Sequence, residues 1–251
     1  LLYPNGLHRT PGDIDIWVEG GDKRVISFVR SISPHEKACY HHIEFPSYKG
    51  VEVEVHYRPS FLLCFWHNRK LQKYYERVKE EQFSHRVMLG EQGEIAIPTV
   101  EFNLIFQLTH IYAHLMNEGI GLRQLLDYYY LLISDDLSLI RDRVQKELKE
   151  LGLWKFAGAI MYIMQEVFGM PASRLIVPPN EMYGRFVLNE VLEAGNFGRH
   201  DERNRFGRSK LGHNLQRVYR DIRLVRYFPA EALSEPFFRV WHFFWRLKHR
   251  R

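Results

Sequence analysis

The chain has 251 residues, 45% of them apolar, with a formal net charge of +5 and a sequence pI near 9.1. That length exceeds the usual single domain and is short for three, so two domains are expected. No run of eighteen uncharged apolar residues occurs, which excludes a membrane-spanning helix. The opening Leu1-Leu2-Tyr3-Pro4 lacks the basic and apolar regions of a signal peptide and reads as a cut from something longer. Two cysteines, Cys39 and Cys64, make no CxxC pair and no disulfide framework, so the expected setting is reducing and cytoplasmic. The moderate basic excess suits a polyanionic partner, either a nucleoside triphosphate or a nucleic acid.

Along the chain, Asp13-Ile14-Asp15-Ile16-Trp17-Val18 alternates polar and apolar between Pro11-Gly12 and Gly20-Gly21, which predicts a strand. Ile14 and Ile16 are expected to face the core. Val25, Ile26, Phe28, Val29 and Ile32 recur at helical spacing up to Pro34. Residues 40–45 and 51–57 alternate on either side of Pro46-Ser47-Tyr48-Lys49-Gly50, which predicts a hairpin with all five of those residues as its turn. A shorter strand pair around 87–89 and 95–97 flanks Gly90-Glu91-Gln92-Gly93 and should end the sheet.

After Pro98 the texture becomes helical. Thr99 is placed as an N-cap, with Phe102, Ile105, Phe106 and Thr109 on one face. Further helices are expected over 121–134, 136–150, 152–168, 180–194, 210–227 and 231–249, with an exposed loop over 195–207. The division is thus a small mixed sheet with helices over residues 1–97 and an all-helical part over 98–251.

Residues two apart on a strand share a face, with Cα atoms roughly 6 to 7 Å apart at a rise of about 3.3 Å per residue. Asp13 and Asp15 therefore point the same way. Unpaired carboxylates so placed repel, and a divalent cation removes the conflict. Two-metal phosphoryl-transfer sites hold ions about 3.5 to 4 Å apart, a span that a third carboxylate from a neighbouring strand completes. In Val51-Glu52-Val53-Glu54-Val55-His56 the two glutamates and His56 share a face. Glu54 is the chosen third ligand and Glu52 the reserve; the general base is Glu54 or His56. A sugar-nucleotide glycosyltransferase also uses such a dyad, but needs about a hundred residues of nucleotide-binding α/β fold ahead of it.

Farther on, His110 and His114 lie four apart on a helix, and Arg123 and Asp127 likewise, the latter expected as an ion pair. The four would form a polar network between helices or face a cleft and touch phosphate or acceptor. A zinc protease pattern is absent, because Ile111 follows the first histidine. Arg217, Arg220, Arg223 and Arg226 form a basic row opposite Leu215, Val218, Ile222 and Val225, expected to be a solvated face, with an RNA track as the alternative. The segment 237–251 combines Phe238, Trp241, Phe244 and Trp245 with a basic tail, expected to pack the helical part, with a membrane contact as the alternative.

The string Arg9-Thr10-Pro11-Gly12-Asp13-Ile14-Asp15-Ile16 resembles the Arg-x-x-Gly-Asp-x-Asp core of the DNA polymerase β nucleotidyltransferase superfamily. More narrowly, the chain resembles a bacterial branch of uncharacterised nucleotidyltransferases. Tyr3-Pro4, the Asp13/Asp15 strand, Glu54-Val55-His56, His110 with His114 and Arg123 with Asp127 carry the likeness. The resemblance implies an α+β fold, a small mixed polymerase β-like sheet followed by helices. It also implies magnesium, or manganese, on Asp13, Asp15 and Glu54. The activity implied is transfer of a nucleoside monophosphate from a triphosphate such as ATP to an acceptor hydroxyl. Arg9, His56, His110, His114, Arg123 and Asp127 are candidate nucleotide or phosphate contacts. The acceptor, a small molecule, a protein side chain or an RNA end, stays open, as does oligomeric state. The superfamily's Gly-Ser step, which holds the triphosphate, is not found in residues 1–12. That keeps a degenerate nucleotide- or partner-binding member and an RNA-binding protein as alternatives.

Overall fold

The computed structural model describes residues 2–9, 12–195, 203 and 210–249. Most of the expected loop over 195–207, with Thr10, Pro11, Arg250 and Arg251, lies outside the described residues.

A three-stranded sheet opens the fold. Strand β1 (Ile14–Trp17) leads through helix α1 (Gly21–Ile32) to β2 (His42–Tyr48) and β3 (Val51–His56). The order is β1-β3-β2. β1 runs parallel to β3, with Asp15 opposite Glu54 and Trp17 opposite His56; β2 runs antiparallel to it, with His42 opposite His56. The hairpin turn is tighter than the sequence suggests. Pro46 and Ser47 stay within β2, where the register shifts between Phe45 and Tyr48, and only Lys49 (φ 52°) and Gly50 (φ 82°) turn the chain. Two successive positive φ values match the twist of paired strands, and Pro46 is tolerated because β2 is an edge.

On one sheet face α1 buries Val25, Ile26 and Val29 against Ile43 and Val55. Because α1 covers β2 and β3, Ile14 and Ile16 on edge strand β1 remain 38% and 44% exposed, contrary to their expected core role. Phe28 and Ile32, on the outer side of α1, are exposed as well.

A 20-residue helix, α2 (Phe65–Ser84), follows, in a stretch where the sequence reading assigns nothing. Strands β4 (Arg86–Met88) and β5 (Glu94–Ala96) then pair with each other in a separate two-stranded sheet, so they do not extend the first. Thr99 caps α3 (Val100–Asn117) as expected, its hydroxyl accepting from the Phe102 amide at 3.3 Å. Helices α4 (Leu122–Ile133), α5 (Arg141–Glu150), α6 (Trp154–Glu166), α7 (Glu181–Ala194), α8 (Lys210–Val225) and α9 (Pro229–Lys248) complete the α+β architecture. Among the described residues no helix is long and apolar enough to cross a membrane.

One apolar cluster runs from Tyr40 and Leu62 through α2, α3, α4 and α6 to Phe238, so the sheet region and the helices share a core. The C-terminal helix returns to the sheet, where Trp245 packs with Val25, Ile43 and Val55. Phe238 is buried too, whereas Trp241 and Phe244 are exposed. At the other end of α9, buried Glu231 accepts from the Leu63 and Cys64 amides at 2.6 and 3.1 Å, supplying acceptors where the α2 N-terminus has no side-chain cap of its own.

Helix α8 is oriented opposite to the expectation. Leu215, Val218 and Ile222 are exposed, while Arg217, Arg220 and Arg223 are half-buried. The acids that draw them inward are Glu190, 3.2 Å from Arg223, and Glu235, 3.8 Å from Arg217. Of the four arginines only Arg226 is exposed, so the row is not an open track for RNA.

Candidate functional site

The polar face of the three-stranded sheet gathers the acidic residues. Asp13 stands just ahead of β1 and Asp15 within it, both exposed, while Glu54 on β3 is half-buried. The parallel pairing sets Asp15 beside Glu54. One carboxylate oxygen from each of Asp13, Asp15 and Glu54 lies within 4.8 Å of the others. Glu52, on the same strand face, is outside that group.

His56 sits beneath the carboxylates. Its Nε2 is 3.0 Å from Asp15 Oδ1 and 3.2 Å from Glu54 Oε2, while its Nδ1 lies 3.3 Å from the Arg58 carbonyl. His42, across the hairpin, places Nδ1 2.8 Å from Glu54 Oε2. These contacts set the charges. Burial opposes the cationic form of His56, but Asp15 and Glu54 raise it to about 9. Burial likewise opposes His42, and Cys39 and Glu54 raise it to about 10. Desolvation works against Asp15 and Glu54, yet His56 holds Asp15, and His42 followed by His56 hold Glu54, below the usual carboxylate range. Asp13 differs: desolvation, then the charges of Asp15 and Glu54, push it upward. The face therefore carries two imidazolium cations as counter-charges and one carboxylate left without sufficient compensation.

Helix α3 brings two more imidazoles. Phe102, Phe106, His110 and His114 recur every four residues on one face. Phe102 stacks on Trp17 with ring centroids 5.7 Å apart, which docks that face onto the strand carrying the aspartates. His110 then lies close enough to Asp15 and His56 to feel their charges, and His114 close enough to act on Asp13. Burial, then His114, pushes His110 down to about 4. The two ring Nε2 atoms are 2.9 Å apart, and His114 Nδ1 is 2.7 Å from Glu118.

The remaining candidates gather elsewhere. Arg9 donates to Asp127 through Nε and Nη2, both at 2.9 Å, and the Tyr3 hydroxyl donates to Asp127 Oδ1 at 2.6 Å. Asp127 thus anchors the segment before β1 to α4, and the expected Arg123–Asp127 pair is replaced by these contacts. Arg123, one turn earlier on α4, has a buried Nε without a hydrogen-bond partner. The sequence reading missed Cys39, His41 and His42, which adjoin Glu54. The available signal is Cys-x-His-His directly before an alternating strand.

Three hard carboxylates within a few ångströms fit magnesium or manganese better than a soft metal. The uncompensated Asp13 is the structural sign that a cation suits this face.

Neither the curated proteins nor the solved structures yielded a match to this chain. A protein family described as "Uncharacterised nucleotidyltransferase" does match, over residues 1–169. That span holds the whole sheet, the carboxylate triad and helices α1 to α6, and by it the chain belongs to this family of uncharacterised nucleotidyltransferases.

Proposed function

We infer that the chain is a metal-dependent nucleotidyltransferase that moves a nucleoside monophosphate from a triphosphate to an acceptor hydroxyl. The observation that carries this reading is the convergence of Asp13, Asp15 and Glu54, whose oxygens lie within 4.8 Å on one sheet face. Likeness to the polymerase β superfamily is part of the same inference. Residues 1–97 would supply the chemical core and 98–251 the helical wall that carries His110 and His114.

In this reaction the acceptor oxygen attacks the α-phosphorus, the bond from that phosphorus to the α,β-bridging oxygen breaks, and pyrophosphate leaves with its electron pair. Magnesium or manganese on the triad would neutralise developing charge and hold both oxygens in line. The chain's own residues supply the rest. Asp15 and Glu54 are held ionised by His56 and so stay available as ligands. His56 Nε2 is engaged by both Asp15 and Glu54, which favours a carboxylate of the triad as general base. His110, kept neutral by burial and by His114, can face an incoming phosphate or acceptor without pairing tightly with Asp15. The protein fits a cytoplasmic, magnesium-rich setting on this reading.

The test is melting of the protein with each of the four nucleoside triphosphates, with and without magnesium, beside an Asp13→Asn/Asp15→Asn double variant. Ligand binding raises the midpoint by mass action. One triphosphate should stabilise the wild type only with metal, and the variant should lose that effect. Equal stabilisation of both proteins, or of neither, would remove the triad from the reading.

A further inference from the structure

The turn that opens β2 gathers a second set of donors with different chemistry. Cys39, His41 and His42 place a sulfur and two ring nitrogens within 4.8 Å of one another. Cys39 Sγ is 3.4 Å from His41 Nδ1, and His41 Nε2 is 3.1 Å from His42 Nδ1. A tetrahedral zinc with one sulfur and two nitrogen ligands spaces its donors roughly 3.3 to 3.6 Å apart. The two contacts use opposite nitrogens of the His41 ring and one ion takes only one of them, so side-chain rotation must draw donors that now lie within 4.8 Å to that spacing.

The backbone holds these side chains in place. The Cys39 amide donates to the His42 carbonyl at 2.9 Å, and the Tyr57 and Arg58 amides both donate to the His41 carbonyl, at 3.0 and 3.1 Å. Ala38 pairs with Ile43 across the turn. Three ligands at positions i, i+2 and i+3 of a fixed turn are preorganised, which lowers the cost of binding. All three side chains are half-buried, leaving one side of the cluster accessible.

We propose that Cys39, His41 and His42 bind a zinc ion, with the fourth position open to water. A thiolate with two imidazoles selects zinc over magnesium, just as three carboxylates select the reverse. His42 Nδ1 also stands 2.8 Å from Glu54 Oε2, so the zinc centre adjoins the triad, and zinc binding displaces the proton that His42 otherwise shares with Glu54. This proposal does not depend on nucleotidyl transfer. The Asp13→Asn/Asp15→Asn variant should keep its zinc, so the two readings fail separately.

A competing group, Cys64 with His67 and Glu231, is already committed as a hydrogen-bonded staple. Glu231 accepts from two backbone amides, and His67 Nδ1 lies 3.3 Å from its other oxygen.

The experiment loads chelator-stripped full chain with zinc or cobalt(II) in excess magnesium, then measures metal content after gel filtration and the cobalt spectrum. One equivalent should be retained, and cobalt should show a thiolate charge-transfer band. Cys39→Ser should lose the band and His41→Gln should weaken zinc binding at least tenfold, while Cys64→Ser keeps both. In the wild type, zinc should slow alkylation of Cys39 more than tenfold, mapped by mass spectrometry, a readout needing no variant to fold. Loss of zinc on filtration, a cobalt spectrum without the thiolate band, a band that follows Cys64, or unchanged Cys39 alkylation would each overturn the proposal.

Discussion

Replacing Asp13 by Asn should stabilise the metal-free protein while removing its response to magnesium. Asp13 lies no more than 4.8 Å, ligand oxygen to ligand oxygen, from Asp15 and Glu54, and unlike them it receives no contact from His56 or His42. Two unit charges at that separation repel by about 3.5 kcal/mol at an effective dielectric near 20. Asp13 is solvent-exposed, and screening reduces this to about 1 kcal/mol. The sign follows from linkage. A carboxyl whose folded pKa is raised above its unfolded value of 3.8 contributes stability below that value and loses it as pH rises through the folded one. At pH 7 the ionised group is therefore a net cost, which the amide removes. For a chain of this size about 1 kcal/mol is about 2 to 4 °C in Tm. Calorimetry in chelator at pH 7 should show Asp13→Asn melting above the wild type, with the order reversed in excess magnesium. A variant that melts at or below the wild type in chelator would refute the reasoning, because His114 would then already balance Asp13.

Three other outcomes follow from contacts away from the triad. Asp127→Asn should weaken the grip on Arg9 and Tyr3, costing about 1 kcal/mol at this partly exposed pair and speeding tryptic cleavage at Arg9; an unchanged cleavage rate would show that the anchor lies elsewhere. A Cβ at Gly184 on α7 would run into the Tyr162 side chain on α6, so Gly184→Ala should cost about 2 kcal/mol in urea unfolding, and a neutral result would mean these helices separate easily. His242 Nε2 accepts from the Tyr40 amide at 3.1 Å, and burial, then Arg246, pushes it down to about 4. Its stabilisation is present above the unfolded value of 6.5 and declines as pH falls toward 4. His242→Gln should flatten that part of the urea-midpoint profile, and a profile identical to wild type would rule His242 out as a contributor.

The parts of this fold written in local periodicity were legible. Asp13 and Asp15 fall on one face because strand side chains alternate, and Thr99 is recognisable as a cap because its hydroxyl precedes an apolar helical run. Helix α2 was not assigned because its buried stripe of Leu71, Tyr74 and Tyr75, with Asn68 and Gln82 also buried, is sparse among charged residues. In α8 the periodicity separates two faces but cannot say which is buried. Buried Glu190 and Glu235, from distant segments, decide it by pairing with arginines. Ile14 and Ile16 carry a core-like pattern, yet whether a strand is covered depends on where α1 lies, which the strand does not encode. The histidines around Glu54 were visible only in part. His56 shares a strand with Glu54, but His42 arrives through the antiparallel register and His110 through α3.

The docking of α3 explains why the helical part belongs to the chemistry of the sheet. Among the described residues β1 is a four-residue edge strand paired with β3 alone; it holds Asp15, with Asp13 just ahead of it, and these carboxylates repel. Two links hold it in place: the Val18 amide donates to the His56 carbonyl at 2.8 Å, and Trp17 lies against Tyr75, Phe83 and Phe102. Phe102 and His110 ride the same α3 face, so the contact that fixes the strand also sets the imidazoles over it. At a rise of about 1.5 Å per residue, four helical residues advance about 6 Å, close to the spacing of alternate strand residues. His110 and His114 can therefore keep step with Asp15 and Asp13. Cutting the chain at residue 97 would remove Phe102, His110 and His114 together and expose Trp17. The triad would then lose both its anchor and its wall, so the sheet alone does not constitute the site.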